Sequence, residues 1–102
     1  MELSRAIQNS LVFAQFSADD ELRTAIVTLR SNVAALADTI SRSVPSFTDH
    51  SVRHMDALWG VTERVLTQAE IELMTPAEAF LLATGYYLHD IGMAYAATDQ
   101  GL

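Results

Sequence analysis

The sequence predicts an all-α fold, a helical bundle. Only two prolines and four glycines interrupt 102 residues. Apolar residues recur at spacings of three and four along most of the chain, and strand-like alternation is scarce.

The first expected element is a short helix in which Leu3, Ile7 and Leu11 stand four apart, ending near Phe16. Ser17, ahead of Asp19, Asp20 and Glu21, is placed to cap the next helix, with acids at its positive end. That second helix is long. Leu22, Ile26, Leu29, Val33, Leu36 and Ile40 follow an unbroken four-three alternation along one face. Such a stripe serves either as packing against later helices of the same chain or as a dimerisation seam.

The clearest break is Ser43 to Asp49, where Pro45 forbids a smooth helical continuation. The expected division is therefore an N-terminal helical region over 1–46 and a second unit over 47–102. A third helix is expected from near Ser51, carrying Met55, Leu58, Trp59, Thr62, Val65, Leu66 and Ala69 down one side. Gly60 within it costs about 1 kcal/mol relative to alanine and is expected to mark a close contact. The fourth helix opens on Thr75-Pro76-Ala77-Glu78, which combines an N-cap, a proline at the first helical position and a capping-box acid. The segment that follows, AFLLATGYYLHDIGMAYAA, is apolar on nearly every face, the pattern of a helix in the middle of a bundle. Trp59, Tyr86 and Tyr87 read as core or interface aromatics.

Composition removes several kinds of chemistry. The chain has no cysteine, which excludes disulfides, thiolate nucleophiles and zinc sites built on sulfur. All six bases are arginines, so Schiff-base chemistry and a phosphate-loop lysine are also excluded. With a net charge of -7, direct nucleic-acid binding is not expected. The start MELSRAIQNS lacks the order of a secretory signal, and the longest nearly apolar stretch, Ala79 to Leu88, is too short to span a bilayer. No membrane role is expected, and the cytoplasm is the default compartment. A mean hydropathy of +0.18 is high for so small a chain, which predicts apolar surface intended for a partner.

The residues able to carry chemistry cluster in the second half. The three histidines are His50, His54 and His89, and Asp90 follows the last directly. A short turn between the third and fourth helices makes them antiparallel, bringing the start of one beside the end of the other. If the third helix ends near Gln68, His54 and His89 each stand about 20 Å from the turn; a helix running on to Glu72 offsets their levels by about one turn. Two imidazoles and a carboxylate suit Fe, Mn, Zn or Ni, or Mg where carboxylate and water dominate. Such an ion polarises a phosphoryl oxygen and acidifies a bound water. Asp49 and Asp56 stand nearby as hydrogen-bond partners for the ligands. Arg42 and Arg53 are candidates for a substrate phosphate, against the plainer role of solvated surface charge. The plainer role for a histidine on an apolar helix is a hydrogen-bonded core residue, and His50 before a helix suits a backbone cap.

The segments FTDHSVRHMDALWGVTERVL and TPAEAFLLATGYYLHDIGM resemble the opening half of the HD superfamily of metal-dependent phosphohydrolases. That family's motif is a histidine on an early helix, a His-Asp doublet ending a later apolar helix, and a distal aspartate. The first position maps to His54 and the doublet to His89 and Asp90, with Ile91 and Gly92 completing LHDIG. His50 resembles the extra histidine of a branch often joined to an Hsp90-type ATPase module. The resemblance covers about Phe47 to Met93. It implies the N-terminal part of an HD-domain fold and a mono- or dinuclear divalent metal site. It also implies hydrolysis of phosphoester bonds in nucleotides, cyclic dinucleotides or related small molecules. His54, His89 and Asp90 are then the metal ligands and the catalytic set, with His50 as a further candidate ligand.

The family's distal aspartate lies on a later helix, whereas only twelve residues follow Asp90; Asp99 is too close to serve. The ligand set is therefore expected to be incomplete within this chain. The options are a piece of a longer protein, completion by another chain or a second copy, or a remnant without activity. The alternative from a different class is a non-catalytic helical interaction or dimerisation module with a structural His-Asp doublet.

Overall fold

The computed structural model describes residues 3–43 and 52–99, with side-chain surroundings for 3–39 and 52–89. Every regular element among them is helical: α1 (Arg5–Gln8), α2 (Leu11–Ala14), α3 (Asp20–Ser43), α4 (Val52–Asp56), α5 (Leu58–Val65), α6 (Gln68–Glu72) and α7 (Pro76–Asp99). The all-α bundle expected from the sequence is what the chain forms.

The N-terminal segment differs from the single helix expected there. It is two separate turns, because Ser10 takes an extended backbone (ψ 152°) and its hydroxyl accepts the Phe13 amide, starting a helix of its own. Ser4 does the same for α1 through the Ile7 amide. The cap of α3 is also two residues later than expected, at Asp19 instead of Ser17. Asp19 Oδ1 accepts from the Glu21 and Leu22 amides at 3.0 and 3.1 Å, while the Ser17 carbonyl accepts from Arg23 Nη1 at 2.7 Å. A carboxylate there caps and complements the helix dipole together.

Among the described side chains, most of the four-three stripe of α3 packs inside the chain. Ile26, Val33 and Ala37 are buried, Leu22 and Leu29 pack against the same core, and α3 lies principally along α7. Leu36 remains 42 % exposed. Residues 44–51, with Pro45, Asp49 and His50, lie outside the described residues.

The expected third helix is three pieces. A turn at Ala57, whose backbone stays helical, divides α4 from α5, and α5 ends at Val65, followed by Leu66, whose ψ of 144° is extended. The stop has a local cause: Thr67 opens α6 with a capping box, its hydroxyl accepting the Glu70 amide at 3.1 Å and its own amide donating to Glu70 Oε1 at 2.8 Å. Those bonds hold the Glu70 carboxyl below its ordinary pKa. Ala69, beyond the break, and Val65, at the end of α5, both lie off the buried side that Met55, Trp59 and Thr62 share, and Val65 is 73 % exposed. Gly60 marks no close contact among the described residues, since a Cβ there would meet none of them within 4 Å.

The start of α7 is as the sequence predicts, with Thr75 and Glu78 exchanging both capping-box bonds. One core joins the two sides of residues 44–51: Leu3, Ile7, Val12, Phe13, Phe16, Ile26 and Val33 meet Met55, Trp59, Ile71, Ala79, Ala83, Tyr86 and Tyr87. Phe13, Phe16, Trp59, Phe80 and Tyr86 interlock largely edge-to-face. The apolar character of α7 is only partly used there, for Leu81 and Leu88 stay 66 % and 49 % exposed. No helix among the described residues is long and apolar enough to cross a membrane.

Candidate functional site

The candidate site is set by how α4 and α5 meet α7. Tyr87, fully buried, donates its hydroxyl to Asp56 Oδ1 at 2.8 Å and accepts the Trp59 indole N–H at 2.9 Å. One turn deeper, the hydroxyls of Thr62 and Tyr86 are hydrogen-bonded. Moving back along the chain from Thr62 through Trp59 to Asp56 thus means moving forward along α7, which makes the pairing antiparallel. His54 lies two residues before Asp56 on α4, and His89 two residues after Tyr87 on α7. At 1.5 Å per residue both stand about 3 Å beyond the Asp56–Tyr87 bond in the same direction. The two histidines therefore stand at about the same axial level; being two residues from Asp56 and Tyr87, each lies on the side of its helix turned from that bond, and both side chains are exposed.

The level match does not arise in the way the sequence suggested. From sequence it depends on where a single third helix ends, Gln68 matching the levels and Glu72 offsetting them; here α5 ends at Val65 and the register is fixed by side-chain bonds close to the histidines. Asp90 follows His89 within α7, but its side chain is not among those described, and neither are Asp49, His50 and the Arg42 side chain. Arg53 is exposed on α4 beside His54. Asp99 ends the same helix as Asp90, nine residues on and about 14 Å further along the axis, so it does not turn back toward the doublet. Among the described side chains no three His, Asp or Glu residues gather as a metal cluster.

Asp56, read from sequence as a partner for the ligands, is held by a residue that no spacing pointed to. Arg30 of α3 donates to it through both edges of its fork, Nε to Oδ1 at 2.9 Å and Nη2 to Oδ2 at 2.7 Å. The two side chains are 13 % and 19 % exposed. The carboxylate raises the Arg30 pKa, so this arginine stays charged throughout the working range. Burial pushes the Tyr87 pKa well above its usual value, although the Trp59 hydrogen bond opposes it. Burial likewise raises Tyr86. Tyr87 is therefore a neutral donor to Asp56 at any physiological pH. Nothing in the sequence signals Arg30, which lies 26 residues from Asp56 and is one of six arginines.

The arrangement presents two solvent-facing imidazoles on a common level, braced from behind by a buried polar network. Nitrogen donors with an adjacent carboxylate in sequence suit borderline and hard divalent ions. In comparisons with curated proteins and with solved structures, nothing matches the chain. A family model, HD-CE, matches residues 44–102, which take in His50, His54, His89 and Asp90. That match covers more than half of the sequence and includes both helices that bring the histidines to one level; the chain belongs to the HD-CE family.

Proposed function

We propose that His54, His89 and Asp90 hold a divalent metal ion, one of Mn, Fe, Mg, Zn or Ni, with His50 as a further ligand. The centre serves hydrolysis of a phosphoester in a nucleotide or related small molecule. The observation that carries this reading is the common level of His54 and His89 about the Asp56–Tyr87 bond. Family membership supports it, because the matched residues 44–102 take in His54, His89 and Asp90.

The donor set fits such an ion in kind: two imidazoles and a carboxylate, with no thiolate to favour softer metals. When bound, the ion supplies Lewis acidity toward a phosphoryl oxygen and an acidified water. The chain's own residues supply the rest. His54 and His89 are open to solvent, Arg53 sits exposed beside His54 to meet a phosphate, and the net charge of -7 raises the local concentration of divalent cations. Because Asp99 runs on in line with Asp90, the remaining carboxylate of the family's motif comes in this reading from a further helix or from a second copy.

The test is release of phosphate from a panel of nucleotides and an activated phosphodiester with Mn2+, wild type beside His89→Ala. Metal-dependent release lost in the variant is expected; release that ignores metal, or survives His89→Ala unchanged, contradicts the reading. Exposed Leu81 and Leu88 favour one second reading, a helical interaction module whose α7 face meets further protein. Metal-independent self-association with no metal bound would distinguish it.

A further inference from the structure

Arg30 belongs to α3, outside the residues that the HD-CE match covers. Its guanidinium nonetheless reaches the helix that carries His54. A two-pronged arginine-carboxylate pair is directional in a way a lysine contact is not, since the planar fork fixes the carboxylate's plane as well as its distance. Asp56 receives the Tyr87 hydroxyl at the same time, and Tyr87 receives the Trp59 indole. Four helices, α3, α4, α5 and α7, so converge on one carboxylate and one phenol oxygen.

Stability alone is a poor explanation of this network. A mostly buried ion pair often does no better than an apolar replacement of similar volume. What the network adds is orientation, and α4 is the element that needs it. It has five residues, too few to hold a helix by its own hydrogen bonds, and it joins α5 through Ala57, whose backbone stays helical. Its rotation and level against α7 are set by that joint together with the side chains that grip it. Met55 anchors it in the core, and Asp56 fixes it through Arg30 and Tyr87.

We propose that Arg30 is a positioning residue for α4: acting through Asp56 and Tyr87, it holds the helix that carries His54 at a fixed rotation and level against the helix that carries His89. The N-terminal helices are on this view part of the construction of the metal centre rather than an appendage to it. The inference rests on the metal reading above for its consequence in ion binding, while the placement of the histidines is observable without any ion.

The experiment compares wild type with Arg30→Met and the milder Arg30→Lys, which keeps the charge and loses the fork. Ile71→Val, a change in the buried core of α6 outside the network, controls for general loosening. Two quantities are read: the imidazole signals of His54 and His89 in proton-nitrogen correlation spectra of the metal-free chain, and the dissociation constant for Mn2+. The expected result is that both imidazole signals move in Arg30→Met and Mn2+ binding weakens about tenfold or more. Arg30→Lys falls between, and Ile71→Val leaves both quantities in place. Imidazole signals that stay put in both Arg30 variants overturn the positioning role, whatever happens to Mn2+. Signals that move in the Arg30 variants alone, in a wild type that binds no Mn2+, uphold the positioning role and overturn the metal reading.

Discussion

Tyr87 gives its hydroxyl proton to Asp56 at 2.8 Å, and this bond sets the level at which α4 meets α7. The same oxygen accepts the Trp59 indole, so its loss leaves a buried donor and a carboxylate lone pair without their partner. Tyr87→Phe keeps the ring and its packing but removes that oxygen. It is expected to lower stability by about 2 kcal/mol, seen as a lower urea midpoint at unchanged slope. A midpoint equal to wild type would mean the bond does not hold the helices together.

The buried phenols make stability depend on alkaline pH. Tyr86 and Tyr87 both have folded pKa values raised above the ordinary 10.0, chiefly by burial. Below that value both states keep the proton and the stability is fully present. As pH rises above it the unfolded chain ionises first, the native state binds more protons, and stability falls. Thermal melts followed by circular dichroism from pH 8 to 11.5 should be flat up to about pH 9.5 and then decline. Tyr87→Phe should flatten that decline.

Two glycines lie in helices with open space where a Cβ would stand, Gly60 in α5 and Gly85 in α7. Each carries the backbone entropy cost without a close neighbour among the described residues to justify it. Gly60→Ala and Gly85→Ala are each expected to stabilise by about 0.5–1 kcal/mol, measured as a raised urea midpoint. Destabilisation at Gly85 would instead indicate that α7 is closely approached from outside the described residues.

Much of this was legible in the sequence, and the limits have physical causes. The periodicity of α3 is strong because a long helix buries one face, and Ile26 and Val33 lie where the pattern puts them. Thr75-Pro76-Ala77-Glu78 is read directly because a capping box is a local bond pair. Thr67 and Glu70 form the same signature, and the apolar run across it hid the break it makes between α5 and α6. Ser10 was missed for a similar reason: the spacing of Leu3, Ile7 and Leu11 survives two separate turns as well as one helix. Arg30 was beyond reach, because a bond spanning 26 residues leaves no periodic trace. His54 and His89 were found from the residues and the motif, whereas the bonds that put them on one level became visible only in the fold.

The most direct test of the central claim is metal content by elemental analysis of the purified chain, wild type beside His54→Ala and His89→Ala. One divalent ion per chain in the wild type, lost in both variants while circular dichroism shows the helices intact, is the predicted result. A wild type without metal, or a variant that keeps its full load, would contradict a centre shared by His54 and His89.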